Sequence, residues 1–471
     1  MNATLTATRA TSKYIKVSRE KIYFYRCAVL FIFALYVMPQ YFGIPTPFFD
    51  LTSVRIMIVF LLIFIISDYD RSGDFADLIK SEKITYVLLP YMIVILYTMV
   101  FRADINAFIN PFIEILEMYL MIYVIRDCLG VDKTMKLVLG FIYFLVILGI
   151  FEAIVQVSPF SYLVNLSGLY TGRFVRGGHY RIMSSAIHSL GYGMLLMTAI
   201  PFAAIDVEKK EFNVFKRPVL LALMVVNIFL TGSRSTLGIM FLELFLMFVF
   251  SDRKFIRKNI LFVIMGLVLV LGIFIAIRNT SVGQYILLQL TSVIDALIGT
   301  ELAVNYGANL TALAGSTAYR RQLLKVFSVS WLNPLLGIGR NRSFSAVVNG
   351  TTIKSVDNFY LAEYIRYAYP GLVSYVLFLV YMGLGMLKDA VKTRSAIIRV
   401  VLIGAVSYCI HLYIADSLMT FKYLYLLFAI YLCCDKTPYI PEKSSSKYIK
   451  SKALFANSQK GLGGSSRYVK K

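Results

Sequence analysis

The chain has 471 residues, of which 58% are hydrophobic and 16% charged, with a mean hydropathy of +0.71 and a formal net charge of +22. That balance excludes an ordinary soluble globular protein and fits a helical protein that crosses a membrane many times. The positive charge does not call for a nucleic-acid partner, because cytoplasmic loops collect Lys and Arg for topological reasons.

Six basic residues precede Ala28, and no small-residue cleavage site follows a short apolar core. The N-terminus therefore reads as a retained cytoplasmic basic arm over 1–21 rather than a removed signal peptide. Runs of apolar residues long enough to cross roughly 30 Å of hydrocarbon occur near 22–41, 52–67, 85–101, 110–126, 135–157, 182–205, 218–233, 235–251, 259–278, 369–387, 396–415 and 418–434. The predicted fold is thus an all-α polytopic membrane protein of about twelve transmembrane helices, spans 1–9 lying within 22–278. A large extracytoplasmic loop over 279–357, with no membrane signal at its start, is expected between spans 9 and 10. An outer helix and spans 10–12 follow within 358–434. The small, polar, basic tail 435–471 is predicted to be disordered and cytoplasmic.

An even number of spans puts both ends on one side, and that side holds 33 of the 48 basic residues. The positive-inside rule then makes both termini cytoplasmic. The 33 comprise 22 Lys and 11 Arg, whereas the other 15 are 12 Arg and 3 Lys. Topology gives no reason to exchange Lys for Arg on the outer side. A phosphate-bearing ligand does, since the planar guanidinium grips phosphate oxygens bidentately; snorkelling toward headgroups is the competing explanation. All five cysteines lie in or beside apolar segments and imply neither a disulfide framework nor a metal site.

Five outward clusters stand out. Gly172 to Arg181 carries Arg173, Arg176, His179 and Arg181 beside paired glycines, a pattern that could wrap an anion or simply be a solvated face. Thr231-Gly232-Ser233-Arg234-Ser235-Thr236 joins two spans so tightly that Arg234 must sit at the membrane boundary, where a charge is a functional candidate, unless the segment is only a capped hairpin. Arg320 and Arg321 lie in a stretch with helical spacing, and one of the two could face a ligand. Pro334 to Arg342 offers glycines, backbone N–H groups and two Arg, including Arg340, but no complete phosphate-binding loop. Asp357-Asn358 precedes a helix, so Asp357 could be its cap or could act on a substrate. Of the histidines, His411 reads as structural with Asp416 just over a turn beyond. His188 shares a predicted helix with Ser184, Ser185 and Tyr192 and could contact a sugar. No His or Cys pair has metal spacing.

Leu230-Thr-Gly-Ser-Arg234-Ser, Pro334-Leu-Leu-Gly-Ile-Gly339, and Asp357-Asn358-Phe-Tyr360-Leu361 followed by Tyr369-Pro370-Gly371-Leu resemble the O-antigen ligase and polymerase family of bacterial envelope proteins. The resemblance covers about residues 182 to 390. Two departures matter: ligases of the family carry His where Asp357 stands, and a Gly is often found at Ala368. The first favours a repeat-unit polymerase of O-antigen or exopolysaccharide over a ligase that transfers finished glycan to lipid A core or protein. The resemblance implies a glycosyltransferase in the bacterial inner membrane that moves oligosaccharide from polyprenyl pyrophosphate to the next lipid-linked unit. It implies membrane lipids as partners, and a chain-length regulator protein as a further one, with no nucleic acid and no cofactor or metal. Arg234 with Arg320 or Arg321 would stabilise the departing pyrophosphate, and Asp357 would take the acceptor proton. Arg173, Arg176, Arg181, Arg340, Asn358, Tyr360 and His188 would hold substrate. A lipid-linked oligosaccharide flippase, which also has about a dozen spans, is the reading from outside the enzyme class; few charges deep within the spans argue against it.

Overall fold

The structure, a computed structural model, describes residues 19–46, 50–170, 172–176, 178–307, 319, 322–340, 343–348, 351–353 and 356–437. The basic arm before Arg19, the tail beyond Thr437, Arg320, Arg321 and Arg342 lie outside the described residues. Helices dominate, because a chain in hydrocarbon must satisfy its backbone N–H and C=O groups within itself. They run α1 Arg19–Tyr36, α2 Ser53–Ile66, α3 Tyr69–Ser81, α4 Lys83–Arg102, α5 Asn106–Val124, α6 Val131–Val155, α7 Ser189–Ala199, α8 Pro218–Leu230, α9 Arg234–Val249, α10 Ile256–Ile277, α11 Ser281–Ile298, α12 Phe359–Thr393, α13 Ala396–His411 and α14 Phe421–Cys433. Six described helices are long and apolar enough to cross a membrane, and five shorter ones are apolar as well. The only strands among the described residues form four short two-stranded hairpins. The protein is an all-α polytopic membrane protein.

Contacts between chain-distant ends sort the connections onto two faces. On one, called upper here, Gly43 N donates to Asn165 Oδ1 (2.7 Å), Arg102 Nε donates to the Gly337 carbonyl (2.7 Å), and Phe359 N donates to the Leu412 carbonyl (2.9 Å). On the other, Arg126 pairs with Glu82, Phe212 N donates to Asp252 Oδ2 (2.8 Å), and Arg399 donates to the Phe250 carbonyl (2.6 Å).

The interval expected to open without a membrane signal contains α11, which is apolar enough to span. It does not leave the upper face. A Cβ on Gly232 would lie 3.1 Å from the Tyr285 hydroxyl and one on Gly238 would lie 3.4 Å from Val293, so α11 lies across the start of α9. The chain beyond it still meets Arg102 at the upper end of α4. Composition alone cannot separate such a surface-lying apolar helix from a span.

Beyond α11 a second, smaller core forms, from Leu323, Val326, Leu332, Ile338, Ala346 and Ile353 packed on Leu361, Tyr364 and Ile365 at the start of α12. Helix α12 breaks at Ala368, whose φ of 55° and ψ of −164° are not helical. Pro370 causes the break: it has no N–H and its ring crowds the preceding turn. The carbonyls thus released are taken from outside, Ile365 by Ile338 N (2.9 Å) and Arg366 by Gly339 N (3.0 Å), while Tyr369 N donates to Pro334 O (3.1 Å). The Pro334–Gly339 motif and the Tyr369-Pro370-Gly371 motif are therefore two halves of one joint. Gly337 is required there, since a Cβ would stand 2.1 Å from the Arg366 carbonyl oxygen.

Candidate functional site

The site is built where α7, α9, α12 and α14 begin on the upper face. Its floor is set by Glu152, fully buried near the end of α6. Its carboxylate accepts Met183 N (2.9 Å), Ser184 N (2.7 Å) and the Tyr180 hydroxyl (2.8 Å). This fixes a turn at Ser184, whose φ is +48°. The residues before His188 are accordingly not helical, contrary to the predicted span from 182. Helix α7 starts at Ser189, and His188 is its cap, with Nδ1 accepting Leu190 N at 3.0 Å. An accepting Nδ1 in a neutral imidazole leaves the proton on Nε2, so the outer nitrogen is a donor. Asp357 and Arg181 are near enough for their charges to act on this ring.

Asp357 is exposed. It is not the helix cap: Asn358, one residue later, accepts Leu361 N at 3.1 Å and is buried. Asn358 is thereby tied to the backbone, and Tyr360 donates its hydroxyl to the Cys409 carbonyl (2.9 Å).

The arginines divide. Arg181, 5% exposed, donates Nε to the Thr231 carbonyl at 2.5 Å and lies over the Phe174 ring, so it braces the tight α8–α9 turn where Gly232 has φ +60°. Ser233, not Ser235 or Thr236, caps α9, and Thr236 joins Ser233 to the buried His411 (Oγ1 to Nε2, 2.9 Å). This presents Arg234 as the first residue of α9, its charge felt by Asp295 of α11. Arg173 reaches Gln156 (2.8 Å) near the surface. Arg176 sits in a two-residue strand paired with His179. Arg340 lies elsewhere: its fork grips Glu114 through two bonds of 2.8 Å, and its side chain is 7% exposed. The expectation that Arg340 and nearby N–H groups face a ligand is corrected, since Glu114 takes the former and the carbonyls of α12 the latter.

Next to His188 is a cavity of about 330 Å³ lined by Gln40, Ser185, His188, Arg366, Asp416 and Lys422, among others. Arg366 is held by Asp416 (Nη1 to Oδ1, 3.1 Å), so Asp416 serves Arg366 rather than His411. Sequence reasoning missed Glu152, Arg366 and Lys422 as site residues, although ionisable residues inside apolar runs are the signal that marks them. Glu117, Glu152, Glu243, Glu363, Arg399 and Lys422 are all buried within the protein, most of them near helix ends. No group of three or more potential metal ligands occurs among the described residues.

Fold and site define a polytopic membrane protein with a polar, arginine-bearing pocket at one face. Residues 219–376 match the family described as O-antigen ligase, so that segment of the chain is similar to the O-antigen ligase and polymerase family. The match includes the Arg234 turn, the Pro334–Gly339 joint and Asp357. Its members are membrane glycosyltransferase-like enzymes of surface polysaccharide. No curated protein matches the chain significantly.

Proposed function

We propose that the protein is a repeat-unit polymerase for O-antigen or exopolysaccharide, working at the outer face of the bacterial inner membrane with both termini in the cytoplasm. Its donor is an oligosaccharide on polyprenyl pyrophosphate. In the reaction an acceptor hydroxyl oxygen bonds to the anomeric carbon of the donor, the bond from that carbon to the pyrophosphate oxygen breaks, and the pyrophosphate leaves with the electron pair. The hydroxyl proton passes to Asp357. Arg234 meets the charge that grows on the leaving group, an interaction stronger in the transition state than before it. With one carboxylate acting as base and no second one as nucleophile, the displacement is single and inverts the anomeric centre.

The observation that carries this reading lies at the start of α12: Asn358, not Asp357, caps the helix, and the exposed Asp357 acts through its charge on the His188 ring. Asp357→Asn removes the basic oxygen while leaving the cap intact. The expected outcome is unchanged protein in the membrane, single repeat units on the surface, and transfer slowed by about 10² to 10⁴. Long-chain glycan at wild-type abundance from Asp357→Asn would rule Asp357 out as the base. A deletion strain separates the classes: loss of polymer with single units retained fits a polymerase, whereas ligase or flippase loss removes both.

A further inference from the structure

Resting on the glycosyl-transfer reading, we infer that the cavity between α7, α12 and α14 is the subsite for the acceptor sugar, and that it takes a neutral, hydroxyl-bearing ring rather than an anion. Its walls hold polar groups that the protein itself leaves unmatched. Lys422 is 6% exposed, yet among the described residues its ammonium makes no hydrogen bond or ion pair and only lies 5.1 Å from the Tyr423 ring centre. Gln40 Oε1 and Ser185 Oγ, both in the wall, are buried without a hydrogen-bond partner. Buried polar groups are nearly always satisfied, so unmatched ones gathered round one cavity point to an absent ligand.

The charge balance selects the ligand. Arg366 is neutralised by Asp416, with the Glu363 carboxylate 3.8 Å away. Lys422 feels the carboxylate of Glu117. The cavity thus has no surplus cation to hold a pyrophosphate, which is left to Arg234 at the start of α9. What remains is a mixture of donors (Lys422 Nζ, His188 Nε2) and acceptors (Gln40 Oε1, Ser185 Oγ). A sugar hydroxyl both donates and accepts and so meets such a mixture. The position fits the acceptor in particular, because His188 forms part of the wall and lies within reach of the Asp357 charge, so a sugar seated there brings a hydroxyl toward the base.

The test is a transfer assay with the full-length protein in native membranes. The donor is lipid-linked repeat unit and the acceptor probe is a water-soluble glycoside of the same repeat unit, each varied in turn with the other held constant to give its KM and the kcat. Gln40→Ala and Lys422→Gln should each raise KM for the soluble glycoside about three- to tenfold, as expected for one or two lost hydrogen bonds, with kcat and donor KM little changed. Unaltered acceptor KM in both variants, with the wild type active, would overturn the subsite, and so would a rise in donor KM instead. If Lys422→Gln fails to accumulate, Gln40→Ala, which leaves all charges in place, decides alone. A wild type that transfers glycan neither to the soluble glycoside nor to a second lipid-linked repeat unit would defeat the glycosyl-transfer reading itself, a result distinct from the other two.

Discussion

Individual arginines on the upper face differ in what holds them, and the difference predicts opposite consequences of mutation. Arg340 is enclosed with Glu114, both nitrogens of its fork engaged. Removing one partner of a buried pair leaves the other charge uncompensated, at about 3–5 kcal/mol. Arg340→Ala should therefore lower the thermal unfolding temperature of the detergent-purified protein sharply, and a variant as stable as wild type would show the pair to be dispensable. Arg234, half-buried at the first position of α9, should behave differently. Arg234→Lys keeps the charge but loses the planar fork, so membrane abundance should hold while polymer formation falls by most of its value. Activity within a few-fold of wild type would reduce Arg234 to a boundary residue. Outward Arg enrichment was legible in the sequence, but its division was not. Glu114 is 226 positions from Arg340, and no local pattern reveals which guanidinium the protein keeps for itself.

Among the elements, the α12 break explains why two short motifs far apart in the chain occur together. Pro370 releases carbonyls and Pro334–Gly339 supplies the N–H groups that meet them. The presence of both motifs was readable from the sequence, while their mutual docking was not, because hydrogen bonds between segments leave no periodicity. The sequence leaves Asp357 open as cap or as actor on a substrate for a related reason: Asp and Asn serve equally well as caps, and only the backbone angles at Asn358 assign the cap to it. The break also carries strain. At φ 55° and ψ −164° Ala368 occupies a region essentially reserved for Gly, at a cost of order 1–3 kcal/mol. Ala368→Gly should relieve that strain. It gives back about 0.5–1 kcal/mol through the greater freedom of Gly in the unfolded chain, so a net gain of about 1 kcal/mol should raise the unfolding temperature. An unchanged or lower value would mean that Ala368 sits there without cost.

For the whole molecule, sidedness follows from combining an internal alternation with an external rule. Contacts between distant connections assign 67–82, 124–131, 205–217, 250–256 and 394–396 to one face and the site to the other. The face opposite the site is where Lys and Arg gather, and the positive-inside rule predicts that this face is cytoplasmic. Helix α11 is the critical case. If it crossed the bilayer, everything after it would change sides, and Arg340 could not reach Glu114 of α5; the two are bonded, which places the chain beyond α11 on the face where α11 began. In a background with Cys27, Cys128, Cys409, Cys433 and Cys434 replaced, a membrane-impermeant thiol reagent applied to intact cells should label Ser316→Cys, between α11 and the Pro334–Gly339 joint, and should not label Ser445→Cys until the membrane is opened. Labelling of Ser445→Cys in intact cells, or protection of Ser316→Cys, would invert the molecule and put the pocket in the cytoplasm. There Asp357 and Arg234 could not meet a glycan that has already been carried to the outer surface.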